Sequence, residues 1–318
     1  MAPVPAYFYH QIRAPEWEAI CRTIARRRFM AVTCSDLLSR RPAADQCVAL
    51  TLDDGWSTVW SVALPIARRH AVPFTVFLVP ELVEDTPERR STLDHGVPPQ
   101  ELAARDLSDR PYLTWGEVEG LAESGLVDVQ SHSLHHGAVF ASDQPCAGER
   151  ELPLGAAGLV QRRAGRDVLV RELPTSGPAY PIAPALGPDR RYLSPVEEEG
   201  GRWETAEERR ARLRDDLRDA KARIEQRLPG RRVRVLAPPW AIAGQDLLEA
   251  ASATGHELVM LGYPYEGRGF FSKAPVPGCA RLKGDAIWLY LLGPARGIPA
   301  WIAAMRRSRR RLLAGEIP

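Results

Sequence analysis

Little in this chain of 318 residues leans to an extreme. It has no uninterrupted run of about 18 apolar residues, so no membrane-spanning helix is expected. Cysteine is scarce: Cys21, Cys34, Cys47, Cys146 and Cys279 are odd in number, and no pair has CxxC spacing. That argues against a disulfide framework and against a cysteine-built zinc site, and predicts reduced thiols used as small hydrophobes. An excess of one charge is also missing. The 42 basic and 40 acidic residues leave a net charge of +2, too little for a phosphate-binding surface, so nucleic acid is not expected as a partner. Lysine is confined to Lys221, Lys273 and Lys283, an arginine bias read as compositional. Residues 1–11 have neither a basic n-region nor a long apolar h-region; no secretory signal is read, and a cytoplasmic location is expected. The chain is 45% hydrophobic and 26% charged, which is ordinary for a globular protein. It is long enough for one large domain or two small ones.

Strand-length apolar runs alternate with helical patterns, which predicts an α/β architecture. Residues 47–52 (CVALTL), 73–79, 127–131, 233–237 and 257–261 read as strands. Helices are expected over roughly 57–69, 114–124, 205–228 and 245–254. Thr114 and Glu117 form a capping box at the start of the second, and Gly125 stops it. The 205–228 helix carries Leu213, Leu217, Ala220 and Ile224 on one stripe, expected to dock on a core. Residues 137–202 are rich in proline and glycine with weak periodicity, and read as a long insertion or substrate-side loop within one domain spanning 1–318. The end of the chain, 293–318, is Arg-rich (Arg306, Arg307, Arg309, Arg310, Arg311) after an interrupted apolar segment. A solvated helix end is the plain reading, and peripheral contact with an anionic membrane face the sharper one.

Two segments carry chemistry. The first is Thr51-Leu52-Asp53-Asp54-Gly55-Trp56 at a strand end. Consecutive side chains there point in different directions, so one carboxylate can bind a metal while its neighbour faces substrate. The glycine lets the backbone turn sharply. The second is Ser131-His132-Ser133-Leu134-His135-His136. His132 and His136, four apart, are expected on one side of a helical turn. With one carboxylate they make a set suited to Zn²⁺ or another divalent ion. His135 is spare and reads as a surface residue. Trp56, Pro239 and Trp240 follow strand ends near these segments. Both tryptophans suit sugar stacking or an acetyl pocket, and core packing equally. Tyr263 and Tyr265, after another strand, are weaker candidates.

Together these residues resemble the polysaccharide deacetylase family (NodB homology, carbohydrate esterase family 4). Its TFDDG motif is matched by residues 51–55 and its His-Ser/Thr-x-x-His motif by residues 132–136. A third motif after a later strand is matched in part by Pro239-Trp240. The resemblance covers about residues 5–136 and 203–290. The opening Tyr9-His10-Gln11-Ile12, the stretch Tyr112-Leu113-Thr114-Trp115 and the insertion ending in a charged helix are similar to the poly-β-1,6-N-acetylglucosamine N-deacetylase branch.

The resemblance implies a deformed (β/α) barrel with the site at the C-terminal ends of the strands. It implies Asp54, His132 and His136 as ligands of one divalent metal, zinc by default with Co, Ni or Fe as alternatives. Asp53 would be the general base and an N-acetylated carbohydrate the substrate, with a backbone N–H near Pro239-Trp240 helping to hold the oxyanion. The acid histidine that most members carry in a C-terminal motif has no counterpart around residues 286–292, so His10 is the expected acid. The third-motif arginine that orients the base falls on Ala237, and the fourth-motif aspartate has no counterpart. These losses predict a slow or narrowly specific enzyme. Two other readings compete: a deacylase of a non-polymeric or lipid-linked amide, and a non-catalytic glycan-binding relative.

Overall fold

A computed structural model describes residues 4–39, 46–146, 152, 155–171, 180–195, 197–198, 200–262 and 278–291. The strands are, in chain order, β1 (Ala6–Tyr9), β2 (Met30–Val32), β3 (Cys47–Leu52), β4 (Phe74–Leu78), β5 (Val127–Ser131), β6 (Ala138–Phe140), β7 (Leu159–Arg163), β8 (Arg166–Val170), β9 (Ile182–Pro184), β10 (Tyr192–Leu193), β11 (Arg202–Trp203), β12 (Val235–Leu236), β13 (Leu258–Gly262) and β14 (Gly278–Lys283). The helices are α1 (Ala14–Arg26), α2 (Cys34–Ser39), α3 (Leu64–His70), α4 (Pro99–Ala104), α5 (Trp115–Glu123), α6 (Ala206–Arg227), α7 (Gln245–Ala253) and α8 (Ile287–Leu291).

Seven parallel strands close on themselves in the order β1-β14-β13-β12-β5-β4-β3. The closing seam pairs Ala6 with Ala49 through to Tyr9 with Leu52. β2 adds beside the start of β3, from Met30–Cys47 to Val32–Ala49. The expected α/β class and deformed (β/α) barrel are borne out. β3 and β4 are buried along their whole length, as barrel strands covered on both faces must be. Their alternate residues split between two cores. Ala6, Ala49, Phe77, Val235, Ala237 and Met260 cluster with one another and fill the lumen. Tyr7, Val48, Leu50, Leu52, Phe74 and Val76 join the cluster that includes Trp17, Ile20 and Ile24 of α1.

The helices follow their sequence signals. Thr114 accepts the Glu117 N–H and the Glu117 carboxylate accepts the Thr114 N–H, which closes the expected capping box on α5; Gly125 follows in the left-handed region at φ 71°. Thr205 and Glu208 do the same for α6. The Leu213, Leu217, Ala220 and Ile224 stripe is fully buried. Leu213 and Leu217 pack with Leu247, Leu248 and Ala251 of α7 and with Val259 and Leu261 of β13. Cys21, Cys34 and Cys47 sit in apolar clusters, whereas Cys146 is exposed.

Three expectations change in detail. The 57–69 helix opens as a π-turn over Val59–Ala63 before α3. The 233–237 strand shrinks to β12 because the Arg234 and Val235 N–H groups both donate to the Gln130 side chain at 2.8 Å, not to a neighbouring backbone. The 137–202 insertion is not a bare loop. It contains a sheet in the order β8-β7-β6-β9, a β10-β11 ribbon and an apolar cluster of Ala138, Phe140, Leu159, Tyr180 and Tyr192. Its β7–β8 hairpin turns on Ala164 and Gly165, both at positive φ, the geometry of a tight two-residue turn. These strands are two to five residues long, and β7, β8 and β11 carry arginines, so apolar alternation does not reveal them. Arg191, 2% exposed, ties Asp167 at 2.7 Å to Glu197 at 2.5 Å, and Arg212 of α6 grips Glu204 through two bonds of 2.9 and 3.0 Å. Residues 293–318, Tyr263 and Tyr265 lie outside the described residues. Among those described, no helix is long and apolar enough to cross a membrane.

Candidate active site

The C-terminal end of β3 delivers both aspartates to the mouth of the barrel. Asp53 follows the lumen-facing Ala49 and Thr51 in register, and its N–H donates to the Tyr9 carbonyl at 2.8 Å. Asp54 turns away from it through a left-handed backbone (φ 70°), followed by Gly55 at φ 84°. A Cβ at Gly55 would meet Leu78 Cδ1 at 2.8 Å, so the turn needs glycine for both conformation and space.

His132 leaves β5 with its N–H on the Leu78 carbonyl at 2.9 Å. The expected helical turn is not what brings His132 and His136 together. The segment is a loop in which Ser133 (φ 75°) and His136 (φ 45°) are left-handed, and the Ser133 hydroxyl accepts the His136 N–H at 3.0 Å. The two rings lie 5.1 Å apart between centroids. His132 Nδ1 lies 2.6 Å from the Ala237 carbonyl, an acceptor only, so Nδ1 carries the proton and Nε2 presents its lone pair.

Asp54, His132 and His136 converge on one point. Asp54 Oδ1 lies 3.3 Å from His132 Nε2 and 3.4 Å from His136 Nε2. It is buried and makes no well-formed hydrogen bond, while Oδ2 accepts the Trp56 indole N–H at 3.0 Å. A tetrahedral ion with oxygen and nitrogen ligands at about 2.0–2.1 Å spaces them about 3.3–3.4 Å apart. An orphaned carboxylate oxygen and an imidazole with its lone pair turned inward therefore fit a divalent cation. Burial raises the Asp54 pKa, but His132, His136 and His10 outweigh it and hold the carboxyl well below its usual range. Burial and the neighbouring His132 push His136 down to about 4, which keeps it neutral as a ligand must be.

Asp53 has a different partner. Arg281 of β14, 1% exposed, donates from Nη1 to Asp53 Oδ1 at 2.6 Å and to Thr51 Oγ1 at 3.1 Å. Its guanidinium lies 5.2 Å from the ring centroids of both Phe8 and Phe77. Position 237 is an alanine, whereas an arginine reaches Asp53 from β14. Sequence reading missed it although a signal existed: an arginine inside a barrel strand is costly unless a carboxylate waits for it.

The other expected residues surround this centre. His10, just past β1, is exposed, lies edge-on to Phe8 at 5.8 Å and is near enough for its charge to act on Asp54. Trp56 lies tilted against Tyr112, with ring centroids 4.9 Å apart. Pro239 is buried, and Trp240, at φ 54°, sets its ring 4.6 Å from that of His136. Strain of this kind at Trp240 is characteristic of functional sites. The N–H groups of Ala241 and Ile242 are bonded to the Pro238 and Pro239 carbonyls. His135 is not the expected surface residue: it is 6% exposed and lies 2.9 Å from Glu81.

The seven-stranded parallel barrel thus carries, at its C-terminal mouth, an Asp-His-His cluster that could hold a metal ion. The polysaccharide deacetylase family model matches residues 40–153. The BpsB deacetylase domain from Bordetella bronchiseptica superposes with a TM-score of 0.57 at 19% identity, over 88% of this chain and 95% of that one. A de-N-acetylase from Aggregatibacter actinomycetemcomitans gives 0.56 at 18%, over 88% and 93%. IcaB from Ammonifex degensii gives 0.52 at 15%, over 92% and 97%. No curated protein matches the sequence. The family match spans about a third of the chain, over the segment that carries Asp53, Asp54, His132 and His136, and the solved structures share its barrel fold.

Proposed function

We propose that this protein is a metal-dependent N-deacetylase of an N-acetylated sugar or glycan, with zinc as its ion. The observation that carries the reading is the convergence of Asp54 Oδ1 on two imidazole Nε2 atoms at 3.3 and 3.4 Å, one residue from a carboxylate locked by a buried arginine. Asp54, His132 and His136 would hold the ion. Bound there, it would polarise the amide carbonyl and acidify a water molecule.

Asp53 takes a proton from the attacking water, whose oxygen bonds to the acyl carbon. Arg281 keeps the Asp53 carboxylate aimed while that happens. His10 donates a proton to the nitrogen as the C–N bond breaks, giving acetate and a free amine. Its exposure suits an acid that must reach a leaving group on the far side of the amide. Trp56, Pro239 and Trp240 shape the wall against which the acetyl group and sugar ring pack.

The test is acetate release from N-acetylglucosamine oligomers by zinc-loaded and chelator-stripped protein. Release should vanish on stripping and return with zinc. His10→Ala should lower turnover by about 10²–10⁴-fold with zinc content unchanged. Normal turnover in that variant would return His10 to a structural role. A zinc-loaded protein that binds the oligomers but releases no acetate would favour the glycan-binding relative.

A further inference from the structure

The loop that presents His132 and His136 is strained, and such backbone persists only where its surroundings over-determine it. The barrel holds one end, through the His132 N–H on Leu78. Glu81, just past β4, adds its N–H on the Leu134 carbonyl at 3.4 Å and its carboxylate 2.9 Å from His135 Nδ1. The remaining contacts come from outside the barrel. The Leu134 N–H donates to Asp216 Oδ1 of α6 at 2.9 Å. The His136 carbonyl accepts the Ala157 N–H at 2.9 Å, and the Gly137 carbonyl accepts the Ala185 N–H at 2.9 Å, both from the insertion. A Cβ on Gly137 would meet Val160 of β7 at 2.5 Å, so the insertion lies directly against the loop. α6 and the insertion are themselves joined: Arg209 donates to the Gly187 carbonyl at 2.8 Å and Arg212 donates to the Ala185 carbonyl.

Asp216 is the unusual member. It is 8% exposed, makes no arginine or lysine ion pair among the described residues although His135 and Arg212 are near enough for their charges to favour its ionised form, and spends an oxygen on one backbone N–H. Burying a carboxylate this way is expensive, and a solvated amphipathic helix has no need of it. We infer that Asp216 is a positioning residue for the Asp54–His132–His136 site, and that α6 with the insertion is the frame that keeps the His loop in a metal-binding shape. The inference rests on the metal-site reading above.

Titration of the full chain with Zn²⁺ against a competing chelator tests it without reference to turnover. Loss of an outer partner that orients a ligand costs about 10–100-fold in metal affinity, and Asp216→Ala should weaken zinc binding by that factor. Asp216→Asn keeps an oxygen acceptor for the Leu134 N–H and should stay within about threefold of the unsubstituted chain, well short of that loss. Ile224→Ala, about two turns further along α6, should lower Tm and leave zinc affinity alone. Should Asp216→Ala not fold, Asp216→Ser, too short to reach the same N–H, is measured in its place. Unchanged affinity in a folded Asp216→Ala protein overturns the inference. So does an Ile224→Ala protein that loses as much affinity, because binding would then follow stability. An unsubstituted chain that binds no zinc overturns the metal-site reading and this inference together.

Discussion

Asp53 and Asp54 leave β3 one residue apart, yet each meets a different half of the site. Asp53 continues the inward register of the barrel and meets a guanidinium sandwiched between Phe8 and Phe77. Asp54 breaks that register through a left-handed residue and meets two imidazoles that belong to a loop, which α6 and the insertion hold. One carboxylate is charge-paired at 2.6 Å in the lumen. The other keeps an oxygen without a good hydrogen bond. Identical side chains at adjacent positions thus acquire opposite surroundings: a closed ion pair suited to orienting a base, and an open donor set suited to a cation.

The largest effect should fall on the open side. Asp54→Ala removes a ligand itself, so zinc affinity should drop beyond the roughly 100-fold upper range seen for outer partners. Zinc titration that shows near-normal binding would end the distinction between the two halves. Next comes the closed side. Asp53→Asn should keep its zinc and lose about 10²–10⁴-fold in kcat for acetate release. If zinc leaves with the turnover, the two carboxylates act as one site.

Arg281→Met should act through Asp53. A misaimed base costs about 10²-fold in kcat, with KM and zinc content little changed, and Arg281→Lys should recover part of the loss. The same substitution leaves Asp53 buried and unpaired, at about 3–5 kcal/mol of stability. Asp53→Asn/Arg281→Met should regain much of that in a thermal melt. A double variant no more stable than Arg281→Met alone would mean that the guanidinium is held for packing.

The smallest effect separates the site from the background of the fold. His256 is 3% exposed behind α7, with Nδ1 2.9 Å from Thr254 Oγ1. Burial, with Lys221 nearby, lowers its pKa to about 4. The unfolded chain protonates it near pH 6.5, so its contribution is complete above that pH. It is lost as pH falls toward 4, by up to ~3 kcal/mol. Denaturation of His256→Gln between pH 7 and pH 4 should show a shallower loss than the unsubstituted protein. An equal slope would assign the acid lability elsewhere.

How much of this could be read beforehand follows from the range of each interaction. The α5 capping box, the buried stripe of α6 and the whole of β3 are local patterns, and they fold as their spacing indicates. The Asp-His-His set was also within reach, since its members come from two short segments. The insertion was not: β6 to β11 are short, and Arg191, Asp167, Glu197 and Glu204 stand where apolar residues would mark a core. Arg281 and Asp216 were hidden for a related reason. Each matters through a partner more than 80 residues away, at positions 53 and 134, and no spacing rule connects them.

The sequence by itself determined the alternation of strands and helices, the turn at Asp53-Asp54-Gly55 and the donor types available for a metal, because these depend on neighbours along the chain. The tertiary structure decided which carboxylate faces the arginine, how a non-helical loop brings two histidines within reach of Asp54, and what holds that loop in place. Those outcomes depend on barrel closure, which sets β14 against β1 and β1 against β3, and on burial, which favours pairing the Arg281 guanidinium with Asp53.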